Sequence, residues 1–318
     1  MNESPSAGMT YLCNFTTTMS FTLLSSPLQG FTDYRFRNAQ QKYFGGIDTF
    51  YSPYIRLNGK LVIKNSYHRD LLPENNNTLE VIPQVITNDA EEFLFVAHYV
   101  KELGYKELNW NLGCPYPMVT KSGMGSGLIS NTEKINHILE RAHTETDIIV
   151  SMKMRLGYES PQEILDVLPI LDQYPIKNIA IHARLGKQLY KGGVDLEGFQ
   201  NCIDATKHKL YYNGDITSVT QFQKMQQRFP SIDHWMIGRG LIADPFVPNM
   251  LKNNTFEYNG TSYSLPRHGF ARELTFEVID KKEDSVIFSL QSNEETLKKY
   301  PFSFELQLSY TLIGRSLH

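Results

Sequence analysis

The feature that most restricts this chain is a rhythm repeated between residues 22 and 241. A short apolar or β-branched run ends in polar or glycine residues, and a stretch with helical periodicity usually follows. The runs that read as strands are 22–29, 48–55, 79–87, 107–114, 148–156, 178–184, 209–216 and 234–241. Helical periodicity is plainest over 89–103, 132–144, 160–173 and 217–228. Those stretches open on capping residues: Asn88 or Asp89, Asn131, Ser160, and Thr217 or Ser218. Eight β-then-α units within about 220 residues match a TIM barrel in size and order. The rival, a doubly wound sheet, usually has fewer strands and a glycine-rich first turn, and no G-x-G-x-x-G follows the first strand here. The fold class expected for residues 21–252 is therefore α/β, a (β/α)8 TIM barrel.

A barrel brings all its strand C-termini to one face, where barrel enzymes keep their active sites. The ends here are rich in chemistry: Pro27, Leu28 and Gln29; Gln84; Asn111 and Cys114; Lys153 and Arg155; His182 and Arg184; Asn213, Gly214 and Asp215; Gly238 and Arg239. Packing does not call for such residues at seven of eight strand ends. The sharpest local signal is N-L-G-C-P at 111–115, where glycine allows close backbone approach and proline fixes the path behind the cysteine. A lone cysteine is more often a small buried hydrophobe, and Cys13 and Cys202 keep that reading. Cys114 does not, because of its setting. Glycines beside Asp215 and Arg239, after strands seven and eight, fit an anion cradle of the kind barrels use for phosphate. Lys153 sits mid-run in an apolar strand and needs a partner there, either a ligand's anionic edge or a neighbouring carboxylate.

Composition enters as a set of exclusions. The chain has 318 residues, 41% hydrophobic and 20% charged, which is enough apolar material for a sizeable core. Its formal net charge is -3, so a nucleic-acid partner would need a local positive surface. Three widely separated cysteines with no C-x-x-C pair argue against a disulfide framework and a zinc site, and fit a cytoplasmic, reducing location. No metal is expected. No apolar run reaches the roughly 18 residues of a membrane span. Residues 1–20 lack the basic start and apolar stretch of a signal peptide and read as a loose leader.

Taken together, S-P-L-Q-G-F-T-D-Y-R-F-R (26–37), P-Q-V-I-T-N-D (83–89), N-L-G-C-P-x-P-x-V with G-M-G-S-G-L-I after it (111–129), K-M-R-L-G (153–157), I-H-A-R (181–184), N-G-D-I (213–216) and M-I-G-R-G (236–240) resemble the tRNA-dihydrouridine synthases. They occur in that family's order and cover nearly the whole barrel. The resemblance implies reduction of the C5=C6 bond of a tRNA uridine by FMN, with NADPH as electron donor and tRNA as partner. It implies Pro27, Leu28 and Gln29 flanking the flavin ring, Gln84 hydrogen-bonded to it, Lys153 at its N1–C2=O side and His182 against it. Asn213, Gly214, Asp215, Gly238 and Arg239 would hold the ribityl phosphate. Cys114 would protonate uracil C5, and Asn111 and Arg155 would contact the base. A free thiol with a pKa near 8.5 is mostly protonated at neutral pH, which suits an acid better than a nucleophile. The segment 121–127 reads equally as a mobile loop closing over the base or as a plain connection. Another FMN barrel oxidoreductase acting on a small molecule, of the dihydroorotate-dehydrogenase type, is the alternative.

After about residue 252 the rhythm changes to period-two alternation over 255–265, 273–280, 285–292 and 303–313, with turns at Asn259-Gly260 and 281–284. This reads as antiparallel sheet with one buried face. Relatives in the family carry a helical tRNA-gripping domain at this point. Residues 253–318 instead resemble a partial aldose 1-epimerase (galactose-mutarotase-like) segment through 265–274 and 294–312, with His268 and Arg272 at a sugar-site motif. Most of that family's sandwich is missing, so no epimerase activity is expected and unpaired strand edges are.

Overall fold

The computed structural model describes residues 21–253, 255–258, 261–264, 271, 274–313 and 316–317. The leader with Cys13, the Asn259-Gly260 turn, His268 and Arg272 lie outside the described residues. Eight parallel strands close into a barrel in chain order, with the first strand paired to both the second and the eighth. They are β1 (Thr22–Ser25), β2 (Thr49–Ile55), β3 (Val81–Val85), β4 (Glu107–Leu112), β5 (Ile149–Gly157), β6 (Ile179–Leu185), β7 (Leu210–Asn213) and β8 (His234–Ile237). Around them run α1 (Tyr34–Ala39), α2 (Asn65–Leu71), α3 (Ala90–Glu102), α4 (Pro117–Thr120), α5 (Thr132–Glu145), α6 (Gln162–Leu171), α7 (Leu196–Ala205), α8 (Val219–Arg228), α9 (Arg239–Ala243) and α10 (Val247–Asn253).

The four expected helices are α3, α5, α6 and α8. Their caps are Asp89, Asn131 and Ser218, each accepting a backbone N–H of the first turn. At α6 the Ser160 hydroxyl accepts from the Gln162 amide (3.2 Å), and the Glu163 carboxylate gathers the amides of Tyr158, Glu159 and Ser160. Sequence periodicity missed α7 and the short helices. The strands stop sooner than the apolar runs suggest, because residues such as 26–29, 113–114 and 214–216 leave the sheet as loops at the barrel mouth.

Strand alternation divides the side chains into two sets. Met152, Met154 and Leu156 of β5, Ile179, Ile181 and Ala183 of β6, and Trp235 and Ile237 of β8 join the large buried cluster shared with helices α3, α5, α6 and α7. Residues of the other parity form a smaller cluster inside the barrel: Leu24, Tyr51, Ile82, Ala180, Tyr211 and Met236. Two steps further along β5, β6 and β7, that inner parity delivers Lys153 and Arg155, His182 and Arg184, and Asn213. Cys202 is buried in the outer core, where burial pushes its thiol up to about 12. It behaves as the small hydrophobe the sequence implied.

Beyond α10, β9 (Thr255–Tyr258) and β10 (Thr261–Ser264) form an antiparallel pair. A second antiparallel sheet has the order β11 (Glu277–Lys281), β12 (Ser285–Gln291), β13 (Glu305–Ile313), β14 (Ser316–Leu317), with α11 (Glu294–Lys299) between β12 and β13. The expected turn at 281–284 is present, with the Lys282 amide donating to the Ser285 carbonyl. The expected buried face is present only in part: on the central strand Leu290 is buried and Val286 and Phe288 are half-buried. Register aligns Val278, Phe288 and Leu308 across three strands and sets Val286 beside Tyr310 and Leu290 beside Leu306, so the apolar side chains do share one side. Yet Leu306, Leu308, Tyr310 and Leu312 are 40%, 39%, 40% and 52% exposed. Alternation created an apolar face that is covered at Leu290 and left half open along β13.

Candidate active site

Register assembles the site before any side chain is considered. Asn111 of β4 pairs with Lys153 of β5, Arg155 with His182 of β6, and His182 with Asn213 of β7, which in turn pairs with Met236 of β8. One belt of polar residues therefore runs around half the barrel just below its C-terminal mouth. Above it opens a cavity of about 700 Å³. It is lined by Pro27, Leu28, Gln29, Asn111, Cys114, Lys153, Arg155, His182, Asn213, Gly214, Asp215, Gly238 and Arg239, which is every expected site residue but one.

The exception is Gln84. It is fully buried, its Nε2 donates to Asn109 Oδ1 (2.8 Å), and its Oε1 accepts from Asn111 Nδ2 (2.7 Å). Asn109 continues the chain to Ser151 Oγ (2.9 Å). Gln84 thus stands behind Asn111 with both ends of its amide occupied. The structure does not bring it to the cavity surface.

The Cys114 turn is pinned from three directions. Asn111 Oδ1 accepts from the amides of Gly113 and Cys114, both at 2.9 Å. Arg155 Nε donates to the Gly113 carbonyl (3.1 Å), and its Nη1 reaches the carbonyls of Leu185 and Leu189, both at 2.7 Å. The Cys114 carbonyl accepts from the Ser126 amide (3.0 Å) and hydroxyl (3.1 Å). Gly125 makes this last approach feasible. Its φ is +59°, and a Cβ there would lie 2.5 Å from the Cys114 carbonyl oxygen. The segment 121–127 is therefore no free lid at its C-terminal end. Met124, Gly125 and Ser126 are buried beneath the cysteine because the glycines let two backbones touch.

The opposite wall is strongly cationic. Lys153 is buried, and its Nζ donates to Asn213 Oδ1 (3.0 Å), a neutral amide rather than the carboxylate that would stabilise an ion pair. Burial, helped by the Arg155 charge, pulls the lysine down to about 7. Burial likewise lowers Arg155 to about 10. His182 is held well below its ordinary value, first by burial and then by Arg155, Lys153, Arg184 and Arg239, so it is neutral. Its Nε2 lies 3.2 Å from Arg184 Nη1. A guanidinium only donates, so Nε2 accepts and Nδ1 carries the proton. Arg184 also grips Asp215 through two contacts, at 2.9 and 2.5 Å, and Arg239 takes the same carboxylate at 2.7 Å. These ion pairs hold the Asp215 carboxyl below its usual range. Among the charged residues lining the cavity, Lys153, Arg155 and Arg239 face Asp215 alone, already shared between two arginines. The cavity has a net positive wall and a place for an anion.

Lining residues that the sequence did not single out include Tyr190 and Tyr54. Tyr190 follows β6, with the Arg239 guanidinium 4.6 Å and the Arg155 guanidinium 5.3 Å from its ring centre. Its only sequence signal is an aromatic residue just ahead of Gly192-Gly193. Tyr54 of β2 points into the cavity after an irregularity in the β2–β3 pairing between Tyr51 and Tyr54. Pro53 inside a strand was the readable sign of that irregularity. No helix among the described residues is long and apolar enough to cross a membrane. No cluster of His, Cys, Asp or Glu among them is placed to hold a metal ion.

Comparison with known proteins finds relatives for the chain. The tRNA-dihydrouridine(16) synthase of Cupriavidus necator is 28% identical over 233 residues, covering 71% of this chain and 71% of its own. A variant of NCR from Zymomonas mobilis superposes with a TM-score of 0.52 at 11% identity, covering 73% of this chain and 86% of that one; at such identity the likeness speaks to the fold alone. The galactose mutarotase related enzyme from Lactobacillus acidophilus aligns with 21% of this chain and 22% of its own at 45% identity, with a TM-score of 0.20, an overlay too small to assign a fold to the C-terminal segment. A family model described as dihydrouridine synthase (Dus) matches residues 23–298. With most of the chain, the whole barrel and the cavity inside that match, the protein belongs to the dihydrouridine synthase family of flavin-dependent oxidoreductases.

Proposed function

We propose that this protein reduces the C5=C6 bond of a uridine in tRNA to dihydrouridine, with FMN as its bound cofactor and NADPH as reductant. The observation that carries the reading is the cavity itself. One pocket holds a fixed cysteine and a buried lysine with no carboxylate beside it. The relatives named as tRNA-dihydrouridine synthases supply the substrate class.

The residues present fit FMN. A pocket of about 700 Å³ is of the size that encloses a cofactor. Lys153 would meet the flavin's N1–C2=O edge, with Pro27, Leu28 and Gln29 flanking the ring and His182, a neutral Nδ1–H donor, against it. Arg239, with Asn213, Gly214, Asp215 and Gly238, would hold the phosphate. Gln84 contributes at one remove, by holding Asn111. When bound, the reduced flavin supplies a hydride to uracil C6. Cys114 supplies the proton: its S–H bond breaks, a C5–H bond forms, and the electron pair stays on sulfur until solvent returns a proton. Asn111 and Arg155 spend their mapped hydrogen bonds on the Cys114 turn and its neighbours, so they set the wall against which the base lies. The uridine reaches this wall by leaving its stack, at a cost of a few kcal/mol.

The test is NADPH-dependent dihydrouridine formation in unmodified tRNA by the purified yellow protein. Cys114→Ala should keep its flavin and slow the reaction by about 100-fold or more, the usual range for a lost general acid. Wild-type rates from that variant would overturn the assignment.

A further inference from the structure

Among the described residues, the Tyr54 phenol is the one within hydrogen-bonding distance of Cys114, at 3.9 Å from hydroxyl oxygen to Sγ. Both side chains line the cavity. Nothing in the resemblance to dihydrouridine synthases drew on this residue. Its placement is built rather than incidental. The pairing of β2 with β3 is irregular between Tyr51 and Tyr54. Such an irregularity re-aims a side chain out of its strand's alternation. Gln29 Oε1 accepts from the Tyr54 amide at 3.1 Å, tying the strand to the loop after β1. The ring packs on the small apolar cluster of Ile86, Cys114, Val119 and Met124. Burial, and next the neighbouring Cys114, raise the phenol well above its ordinary value, so the hydroxyl keeps its proton.

We propose that Tyr54 is a positioning residue for the acid of this enzyme, its O–H donating a hydrogen bond to Cys114 Sγ. The inference rests on the proposed reading of Cys114 as proton donor. A hydroxyl that donates to sulfur leaves the thiol's own proton free to face the substrate. As the S–H bond breaks and C5–H forms, the electron pair left on sulfur strengthens that same hydrogen bond. The phenol loses no proton in this step, and the thiolate is reprotonated from solvent. Lys153, Arg155 and Tyr190 also act on the sulfur across the cavity, and Arg56 and Tyr67 flank the phenol. The measurement must therefore isolate the hydroxyl.

Tyr54→Phe removes that hydroxyl and keeps the ring. In flavin-loaded protein carrying Cys13→Ser, with Cys202 shielded in the core, the pH profile of Cys114 alkylation by iodoacetamide reads the thiolate directly. The expected midpoint moves up by about one pH unit, a tenfold drop in thiolate at a given pH. Turnover of tRNA should fall by about tenfold in kcat with KM unchanged, and NADPH reduction of the flavin without tRNA should keep its rate. An unmoved midpoint overturns the contact. A moved midpoint with wild-type kcat overturns its part in turnover. Should Tyr54→Phe not fold, 3-fluorotyrosine at position 54, a stronger donor, should move the midpoint down, and no movement again overturns the proposal. The alkylation profile needs no tRNA, so it stands or falls apart from the substrate assignment.

Discussion

Lys153 shows most clearly what a single residue can reveal. A cation is buried without a carboxylate only where something else supplies the negative charge at some stage of function. With its value lowered to about 7, the amine is largely neutral at pH 8. An anion placed beside it raises that value and draws a proton. FMN binding to the cofactor-free protein at pH 8 should therefore take up a proton, read by calorimetry in buffers of differing ionisation heat, and Lys153→Met should abolish the uptake. Equal uptake in both proteins would discard this account. The sign for stability follows the same asymmetry. Free lysine titrates near 10.4, so between about pH 7 and 10 the unfolded chain holds the extra proton. This group thus makes the cofactor-free protein more stable as pH rises across that window. Urea midpoints for wild type should climb relative to those of Lys153→Met over it.

At the scale of elements, the site depends on turns that side chains and glycines hold in place. Asn111, Arg155 and Ser126 fix the loop after β4, and Gly125 permits the contact from Ser126. Gly125→Ala adds a Cβ against the Cys114 carbonyl at a left-handed backbone position. It should cost about 1–3 kcal/mol in chemical denaturation and slow dihydrouridine formation, since the cysteine must shift. An alanine variant with wild-type stability would show that the segment relaxes freely. The 3.6-residue and two-residue periods made the barrel's strands and main helices legible, as β5 and α5 illustrate. Helix α7 carries comparable signals, with Asp195 at its cap and Leu196, Phe199 and Ile203 at helical spacing, but Gly198 in its first turn weakens the pattern. The short helices α1, α2, α4 and α9 form in loops that tertiary contacts organise, such as the buried Arg37 binding the Thr32 and Asp70 carbonyls and Asn76 Oδ1.

The whole molecule joins a closed barrel to an open sheet. Closure leaves the barrel no edges, whereas the C-terminal sheet shows a row of leucines and a tyrosine to solvent. Because those side chains are only partly buried, at 40% and 39% exposed, replacing Leu306 and Leu308 with threonine should cost no more than about 1 kcal/mol each. The same double variant should leave flavin absorbance intact and raise the concentration at which light scattering first appears. A large loss of stability would instead mean that the apolar face is packed in solution.

Much of this protein follows from its amino-acid order alone. Alternation within each run and helical period between runs specify eight β/α units, and polar or ionisable residues recur at seven of the eight strand ends. Those are local properties, set by where side chains point on a strand or helix. Which of them touch is a matter of register and loop path. Only the closed barrel sets Lys153 on the neutral amide of Asn213, hides Gln84 behind Asn111, clamps Asp215 between Arg184 and Arg239, and turns Tyr54 toward Cys114. These partners lie up to 60 positions apart in the chain, and their distances are settled when strand pairing closes the ring. No local pattern encodes that closure.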